Sequence, residues 1–298
     1  MKNIALYAII MENKLKGLIS LHDRFLCPTC GAPLTRGPRD YRCAQNHLFD
    51  LSRSGYVNLL TAGSKHSKVP GDNKLMVNAR RSFLDKGYYS KLCELVSLRA
   101  AVLAGDGPVL DAGCGEGYYT TAVFEALARS GRQVDVMGID ISKIALDKAA
   151  KRCKEIAWAV GSVFHLPVGT ESCGLLLNLF APYCGEEYHR VLAPDGKMLL
   201  VIPGKDHLWE LKKAVYEHPY RNEVKDFALE GFELLRAEHC ADTLFLDNAE
   251  DIDHLFKMTP YYYKTSEQDY RRLAALSELT TRIEFNVLEY QKKGKGML

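Results

Sequence analysis

The stretch Val109-Leu110-Asp111-Ala112-Gly113-Cys114-Gly115-Glu116-Gly117 decides the fold of this chain. An apolar strand runs into an acidic residue and three alternating glycines, and a helical pattern begins at Tyr118. Glycine lets backbone approach a ligand closely because no Cβ intervenes. A strand, turn and helix in this order, at the carboxyl edge of a parallel sheet, form a nucleotide-binding crevice. The spacing is G-x-G-x-G, not the G-x-G-x-x-G that aims a helix N-terminus at a pyrophosphate.

The pattern resembles motif I of the class I S-adenosylmethionine (SAM) methyltransferases, which implies a methyl donor rather than a dinucleotide. Val136-Met137-Gly138-Ile139-Asp140 reads as the next strand and ends in a carboxylate. An acidic residue there accepts hydrogen bonds from ribose hydroxyls. Asp140 could equally cap the following helix, with Ser142 as the alternative cap. A nicotinamide-type ligand and a ligand-free scaffold are the other readings of this crevice.

From Gly107 onward, strands and helices alternate. Strands are predicted at Pro108–Asp111, Val134–Asp140, Ile156–Val160, Gly174–Leu179 and Lys197–Pro203, and helices at Tyr118–Arg129, Lys143–Cys153 and Glu186–Val191. Such alternation specifies parallel βαβ units. The segment from Arg282 to Tyr290 puts Ile283, Phe285 and Val287 on one face and predicts an antiparallel edge strand. The expected fold is therefore α/β: a Rossmann-like, class I SAM-dependent methyltransferase domain with a mostly parallel seven-stranded sheet. A small N-terminal zinc-binding domain precedes it.

The chain has 298 residues, 47% hydrophobic and 26% charged, which fits a large globular domain plus a small one. No apolar run is long enough to span a bilayer. The run Ile4 to Met11 lacks the cleavage site of a signal peptide, and Met11 offers a second start. Nine cysteines, an odd number without pairing rhythm, fit a reduced cytoplasmic protein with three ligand cysteines and six thiols. Charge is uneven. From Arg24 to Lys91, twelve Lys/Arg stand against four Asp/Glu, a net of +8 in a chain of net +2. That asymmetry suits a polyanionic partner, although a solvated basic surface would look the same.

Cys27-Pro28-Thr29-Cys30-Gly31, then Cys43 and His47, spell C-x2-C-x12-C-x3-H. Three thiolates and an imidazole close a tetrahedron, the signature of structural zinc. The turn-rich segment around them is too small to fold without a staple. Arg24, Arg36, Arg39, Arg42 and Arg53 interleave with Phe25, Tyr41, Phe49 and Tyr56. Guanidinium groups match phosphates and aromatic rings can stack on unpaired bases, or the rings can simply pack.

A zinc module, a basic linker and a SAM domain in this order resemble the RlmA (RrmA) family. The resemblance runs from about Phe25 to the C-terminus. It rests on His47-Leu48-Phe49-Asp50, Gly55-Tyr56-Val57-Asn58-Leu59-Leu60, Pro70-Gly71-Asp72, Ala79 to Asp85, Cys114 to Thr120, Ala181-Pro182 and Pro203-Gly204. It implies guanine-N1 methylation of a large-subunit 23S rRNA hairpin, with TlrB-type members linked to macrolide resistance, and a homodimer. It implies zinc on Cys27, Cys30, Cys43 and His47. SAM contacts would come from Tyr89, Asp111, Gly113, Gly115, Glu116, Gly117, Asp140 and His207. RNA contacts would come from Arg36, Arg39, Arg42, Arg53, Lys65, Lys68, Arg80 and Arg81. The implied organisation is an extension over 1–24, a zinc module over 25–60, a linker with helices over 61–104, and the methyltransferase domain over 105–298. A small-molecule methyltransferase and a non-catalytic rRNA-binding assembly factor are the rival readings.

Guanine N1 carries a proton in its normal form, so methylation needs the base unstacked and that proton removed. Asn178, in Asn178-Leu179-Phe180-Ala181-Pro182-Tyr183, could orient a guanine, and Tyr183 could stack on it. His165, His207 and Glu116 are candidate bases, each with a non-catalytic alternative.

Overall fold

The computed structural model describes residues 24–61, 71–105, 107–132 and 134–294. The extension over 1–24, apart from Arg24, and the RNA-contact candidates Lys65 and Lys68 lie outside the described residues. Near the N-terminus, Leu34–Arg36 (β1), Asp40–Cys43 (β2) and Leu48–Asp50 (β3) make an antiparallel sheet in the order β1-β2-β3. On β2 the residues alternate, Tyr41 and Cys43 inward and Arg42 outward, as period-2 strands require. The short strand Val57–Asn58 (β4) leaves this module and pairs in parallel with a strand of the main sheet.

Two helices follow. Lys74–Asp85 (α1) is capped by Asn73, whose side chain accepts from the Met76 amide at 3.0 Å. Ser90–Leu103 (α2) starts after a break at Gly87, which takes φ +82°, as the sequence pattern anticipates. The alternation then runs Val109–Ala112 (β5), Tyr118–Arg129 (α3), Val136–Asp140 (β6), Lys143–Arg152 (α4), Ala157–Val160 (β7), Cys173–Leu179 (β8), Gly185–Val191 (α5), Leu192–Pro203 (β9) and Trp209–Val215 (α6). Phe232–Leu246 (β10), Ala249–Lys257 (α7), a 3-10 turn over Pro260–Lys264, Glu267–Ala274 (α8) and Leu279–Lys292 (β11) complete the described chain.

The main sheet has eight strands in the order β10-β11-β9-β8-β5-β6-β7-β4. Strands β9-β8-β5-β6-β7-β4 are mutually parallel, and β11 runs antiparallel to both β9 and β10. The fold class is the expected class I methyltransferase architecture. Two details differ. The eighth strand is β4, lent by the N-terminal module, which covers the β7 edge. The alternating segment around Arg282–Tyr290 is the middle of β11, an interior strand rather than an edge one. The edge is β10, whose mainly exposed residues carry no clean apolar period. That exposure is why the sequence hides it.

The expectation that the N-terminal segment cannot bury a core alone has a physical counterpart. Phe25, Leu34, Tyr41, Val57 and Leu59 share one apolar cluster with Ile139, Ala157, Ala159, Leu166 and Val168 of the main sheet and its loops. Backbone bonds stitch the seam, Leu26 N to Pro167 O and Leu59 N to Val160 O, both at 2.9 Å. Arg24 adds an ion pair to Asp135 at 2.7 Å.

Candidate active site and metal centre

The carboxyl ends of β5, β6, β8 and β9 converge where the neighbours of β5 diverge, the place where open α/β sheets bind ligands. After β5 the chain turns through Gly113 and Gly115, at φ +94° and +55°. A Cβ on Gly113 would meet the Ala181 Cβ at 2.2 Å, so glycine there lets the loop after β8 close on the turn. At Gly115 the only neighbour among the described residues that such an atom would find within 4 Å is the Arg80 guanidinium, at 3.9 Å.

Asp140 closes the turn from β6. Its Oδ2 accepts from the Gly115 amide at 2.9 Å and its Oδ1 from the Ser142 amide at 2.7 Å. The helix cap is Ser142, which accepts from the Ala145 amide at 3.3 Å. Asp140 is thus a held carboxylate facing the glycine turn, and each oxygen keeps a further lone pair. Burial raises its pKa, opposed by the two amides.

Asp111 is buried at the end of β5. One oxygen accepts from the Thr120 hydroxyl at 2.6 Å, and the other has no partner among the described residues. Burial pushes this carboxyl up to about 7, against the Thr120 bond and with a smaller push from Asp140. The hydroxyls of Tyr89 and Tyr119 and the Asn178 Oδ1 are likewise buried without partners among the described residues. Tyr89 packs edge-on to Phe285 at 5.1 Å and faces His207 at 6.3 Å. His207 Nδ1 accepts from the Glu284 amide at 3.2 Å, so the ring proton sits on Nε2, a donor. Burial is the main cause, and Lys212 the next, of a His207 pKa lowered to about 3.

These residues fit SAM. In holding it, Asp111 would meet an ammonium group, Asp140 would accept from ribose hydroxyls, and Tyr89 and His207 would donate to a carboxylate. SAM supplies an electrophilic methyl group when bound.

Glu116 follows Gly115 in the turn expected at SAM. Its buried side chain pairs with Arg152 at 2.6 Å, and Arg152 also reaches Asp85 at 2.8 Å. Only the Glu116 Oε2 is so engaged; Oε1 is buried without a partner among the described residues. Gly117 begins α3 in the left-handed region. Arg80 lies over the glycine turn, bonded to Asp72 and to the Met258 carbonyl, while Arg81 meets Asp85 at 3.4 Å. Both arginines, expected at RNA, make internal contacts here.

The acceptor side is built on the loop after β8. The Asn178 amide nitrogen lies 3.3 Å from Ala112 O, 3.2 Å from Pro182 O and 2.6 Å from the Tyr188 hydroxyl. It pins the loop. Phe180 takes φ +59°, a strained conformation for a bulky residue, and packs against Phe285 and Tyr119. Tyr183 stands edge-on to Tyr188, and burial lifts its phenol to about 12. His165 is elsewhere. It lines a groove of about 400 Å³ between the metal module and the main sheet, with Pro28, Gly31, Leu60 and Arg190.

The metal ligands do converge. The ligand atoms of Cys27, Cys30, Cys43 and His47 all lie within 4.8 Å of one another. Cys30 and Cys43 sulfurs are 3.7 Å apart, and the His47 Nδ1 is 3.6 Å from Cys27 and 3.4 Å from Cys43. A tetrahedron with Zn–S bonds of about 2.3 Å has S···S edges of about 3.8 Å, so zinc fits. Two knuckles hold it, each with a residue at positive φ: Gly31 at +73° and Asn46 at +62°. Backbone amides of Thr29 and Cys30 serve Cys27, and those of Gln45 and His47 serve Cys43.

Of the interleaved arginines, Arg39, Arg42 and Arg53 are exposed, while Arg36 is half-buried over the Tyr41 ring. Phe25 and Tyr41 are fully buried against each other, and Phe49 and Tyr56 are partly buried against the cores. Packing claims Phe25 and Tyr41, which removes them as stacking platforms.

Residues 25–68 match the zinc-ribbon family described as RlmA, N-terminal, and residues 109–196 match a methyltransferase domain. A 23S rRNA (guanine(748)-N(1))-methyltransferase of Streptomyces fradiae is 34% identical over 274 residues, covering 88% of this chain and 95% of that protein. A Micromonospora griseorubida protein, provisionally named a 23S rRNA (guanine-N(1)-)-methyltransferase, is 38% identical over 62% of this chain and 67% of its own. A Bacillus subtilis protein with the same provisional name is 29% identical over 89% and 95%. A zinc ribbon fused to a SAM crevice, matched along nearly the whole length of the Streptomyces enzyme, places this chain in the RlmA family of 23S rRNA (guanine-N1)-methyltransferases.

Proposed function

We propose that the protein transfers a methyl group from SAM to N1 of a guanine in a hairpin of 23S rRNA, in the cytoplasm and as a homodimer. The observation that carries the reading is the joining of a basic zinc ribbon to the donor crevice through β4. One continuous sheet and core thus join exposed arginines for phosphate to a held donor site for methyl transfer. The functional division we retain is 25–60 for RNA capture, 61–104 as connection and 105–298 for catalysis.

The chemistry asked of the residues is modest. In-line attack by N1 is accelerated mainly by positioning. The loop over Phe180–Tyr183, pinned by Asn178, holds the guanine plane, and the held Asp140 and Asp111 fix the donor. The His207 Nδ1 lone pair is taken by the Glu284 amide and Tyr183 keeps its phenol proton, so neither takes the N1 proton, which passes to solvent. The residues then need to favour the anionic form of the base.

Primer extension on 23S rRNA from a deletion strain and its complement tests the reading. Loss of one N1-methylguanine stop, restored by the gene, is expected. An unchanged pattern of stops would refute it.

A further inference from the structure

Asn178, the penultimate residue of β8, is 1% exposed, and its two amide atoms have unlike surroundings. The nitrogen faces three acceptors: the Ala112 carbonyl at 3.3 Å, the Pro182 carbonyl at 3.2 Å and the Tyr188 hydroxyl at 2.6 Å. The Tyr188 hydroxyl gives its own proton to the Pro182 carbonyl at 2.9 Å. Turning the amide over would set its oxygen against two carbonyls, so these neighbours fix which atom is nitrogen. The other atom, Oδ1, is an acceptor, and it is buried without a partner among the described residues. A buried acceptor left unpaired is costly, and in folded proteins it marks a place where a ligand or water supplies the donor.

Backbone on both sides sets where this acceptor stands. Ala112 ends β5 and leads into Gly113, while Pro182 belongs to the loop after β8. That loop closes on the glycine turn so tightly that a Cβ on Gly113 would meet the Ala181 Cβ at 2.2 Å. Asn178 is thus wedged where the donor turn and the acceptor loop touch. Strands β8, β5 and β6 are neighbours in the sheet, so Asn178, Asp111 and Asp140 stand in a row along its carboxyl edge. Asp140 and Asp111 serve the methyl donor, which leaves the β8 side of the edge for the base. Phe180 and Tyr183, two aromatic side chains that the loop after β8 leaves partly exposed, flank that side.

We propose that Asn178 Oδ1 accepts a hydrogen bond from the 2-amino group of the target guanine, so that Asn178 selects the base and sets N1 in line with the methyl group. The inference rests on the guanine-N1 reading above and deepens it. Guanine carries two donors on its Watson–Crick edge, N1–H and the 2-amino group. The N1 proton leaves to solvent, and the N1–C bond forms as the S–C bond breaks. The amino group alone therefore remains a donor throughout, and Asn178 itself gains and loses no proton. Adenine has C–H in place of that amino group and leaves the buried acceptor unpaired. A site built to hydrogen-bond its substrate rejects an analogue lacking the donor more strongly than shape alone can.

The test pairs a deletion in the substrate with one in the enzyme. In a 23S rRNA hairpin fragment, the guanine that takes the methyl group is replaced by hypoxanthine, which keeps N1–H and O6 and lacks only the 2-amino group. Single-turnover transfer of labelled methyl is measured for the full-length wild type and Asn178→Ala on both fragments, with SAM titrations alongside. Wild type should lose about 10- to 100-fold on hypoxanthine. Asn178→Ala should be slower on guanine, treat the two bases alike within about threefold, and keep its SAM affinity. A wild type that methylates both fragments equally overturns the proposal, and that arm needs no variant. A variant that is slowed yet keeps the wild-type preference for guanine also overturns it, because Asn178 would then act only by pinning the loop. So does a SAM affinity weaker by about tenfold or more, which would assign Oδ1 to the methyl donor. Failure of the wild-type protein to methylate the guanine fragment would instead count against the guanine-N1 reading.

Discussion

Replacing Asp140 with asparagine separates a ribose acceptor from a residue that merely holds the turn. In the structure both carboxylate oxygens already accept backbone amides, from Gly115 at 2.9 Å and Ser142 at 2.7 Å. An asparagine can serve only one of these and presents an NH2 group to the other. The exposed consequence is on the ligand side, where a charge-assisted acceptor for one ribose hydroxyl is lost. Such bonds are worth about 1.5–3 kcal/mol, or a SAM affinity about 10- to 100-fold weaker. A thermal midpoint lower by a few degrees should accompany it, from the one orphaned amide. The control is Ser142→Ala, which removes the cap on α4 at about 1 kcal/mol but leaves the carboxylate in place. Isothermal titration of SAM into each variant is the assay. If Asp140→Asn binds within twofold of wild type, or if Ser142→Ala weakens binding equally, the ribose assignment fails.

Asp111 offers a pH signature. Its folded pKa, near 7, is raised above the unfolded value, so the free protein loses stability as pH rises from about 4 to about 7. Asp111→Asn should flatten that slope in a melting series and abolish SAM binding; a slope that survives would show that another group causes it. Chelating the zinc, or changing Cys43 to Ser, should remove the metal together with the packing of Phe25 and Tyr41. The midpoint should fall by several degrees, and a melt indifferent to strong chelator would refute a structural metal. Changing Arg39, Arg42 and Arg53 together to alanine should weaken hairpin binding and reduce the slope of log affinity against log salt by about three. Equal slopes would remove the zinc module from the RNA path.

The core of the fold was legible because parallel strands buried on both faces leave apolar runs that composition cannot disguise. Val109–Ala112 and Ala157–Val160 are buried at every position. The helix Tyr118–Arg129 matches its expected bounds because a glycine precedes it and an amphipathic face continues it. The metal ligands were legible because coordination fixes spacing. What stayed hidden is non-local. Nothing in Val57-Asn58 announces a strand, since the two residues gain their place in the main sheet from Ala159 and Val160, a hundred residues away. The Glu116–Arg152 pair spans a helix and a strand, and neither residue alone betrays it. The strained φ of Phe180 depends on the loop it closes, so a phenylalanine at that position carries no signal.

The same non-locality explains why the metal module and the donor crevice act as one body. A two-residue strand contributes little by itself, yet β4 sits between two commitments. On one side, Leu51 and Val57 form an isolated bridge that ties β4 back to the zinc-bound turns. On the other, Leu59 N bonds Val160 O at 2.9 Å, and the next residue, Gly161, donates to the Asp140 carbonyl at 3.0 Å. Asp140 in turn fixes Gly115. A short chain of hydrogen bonds therefore connects the zinc-bound turns to the glycine turn, backbone to backbone as far as Asp140 and through its held carboxylate at the last link. Apolar packing runs parallel to it, from Phe25 and Leu34 through Val57 to Ile139 at the foot of Asp140. Displacing the module by even a residue would shift β4 register and flip its buried Val57 outward. Positioning, which supplies most of the rate in an in-line transfer, tolerates errors well below that. The basic face proposed to meet RNA is thus held in register with the glycine turn by the strand that closes the sheet.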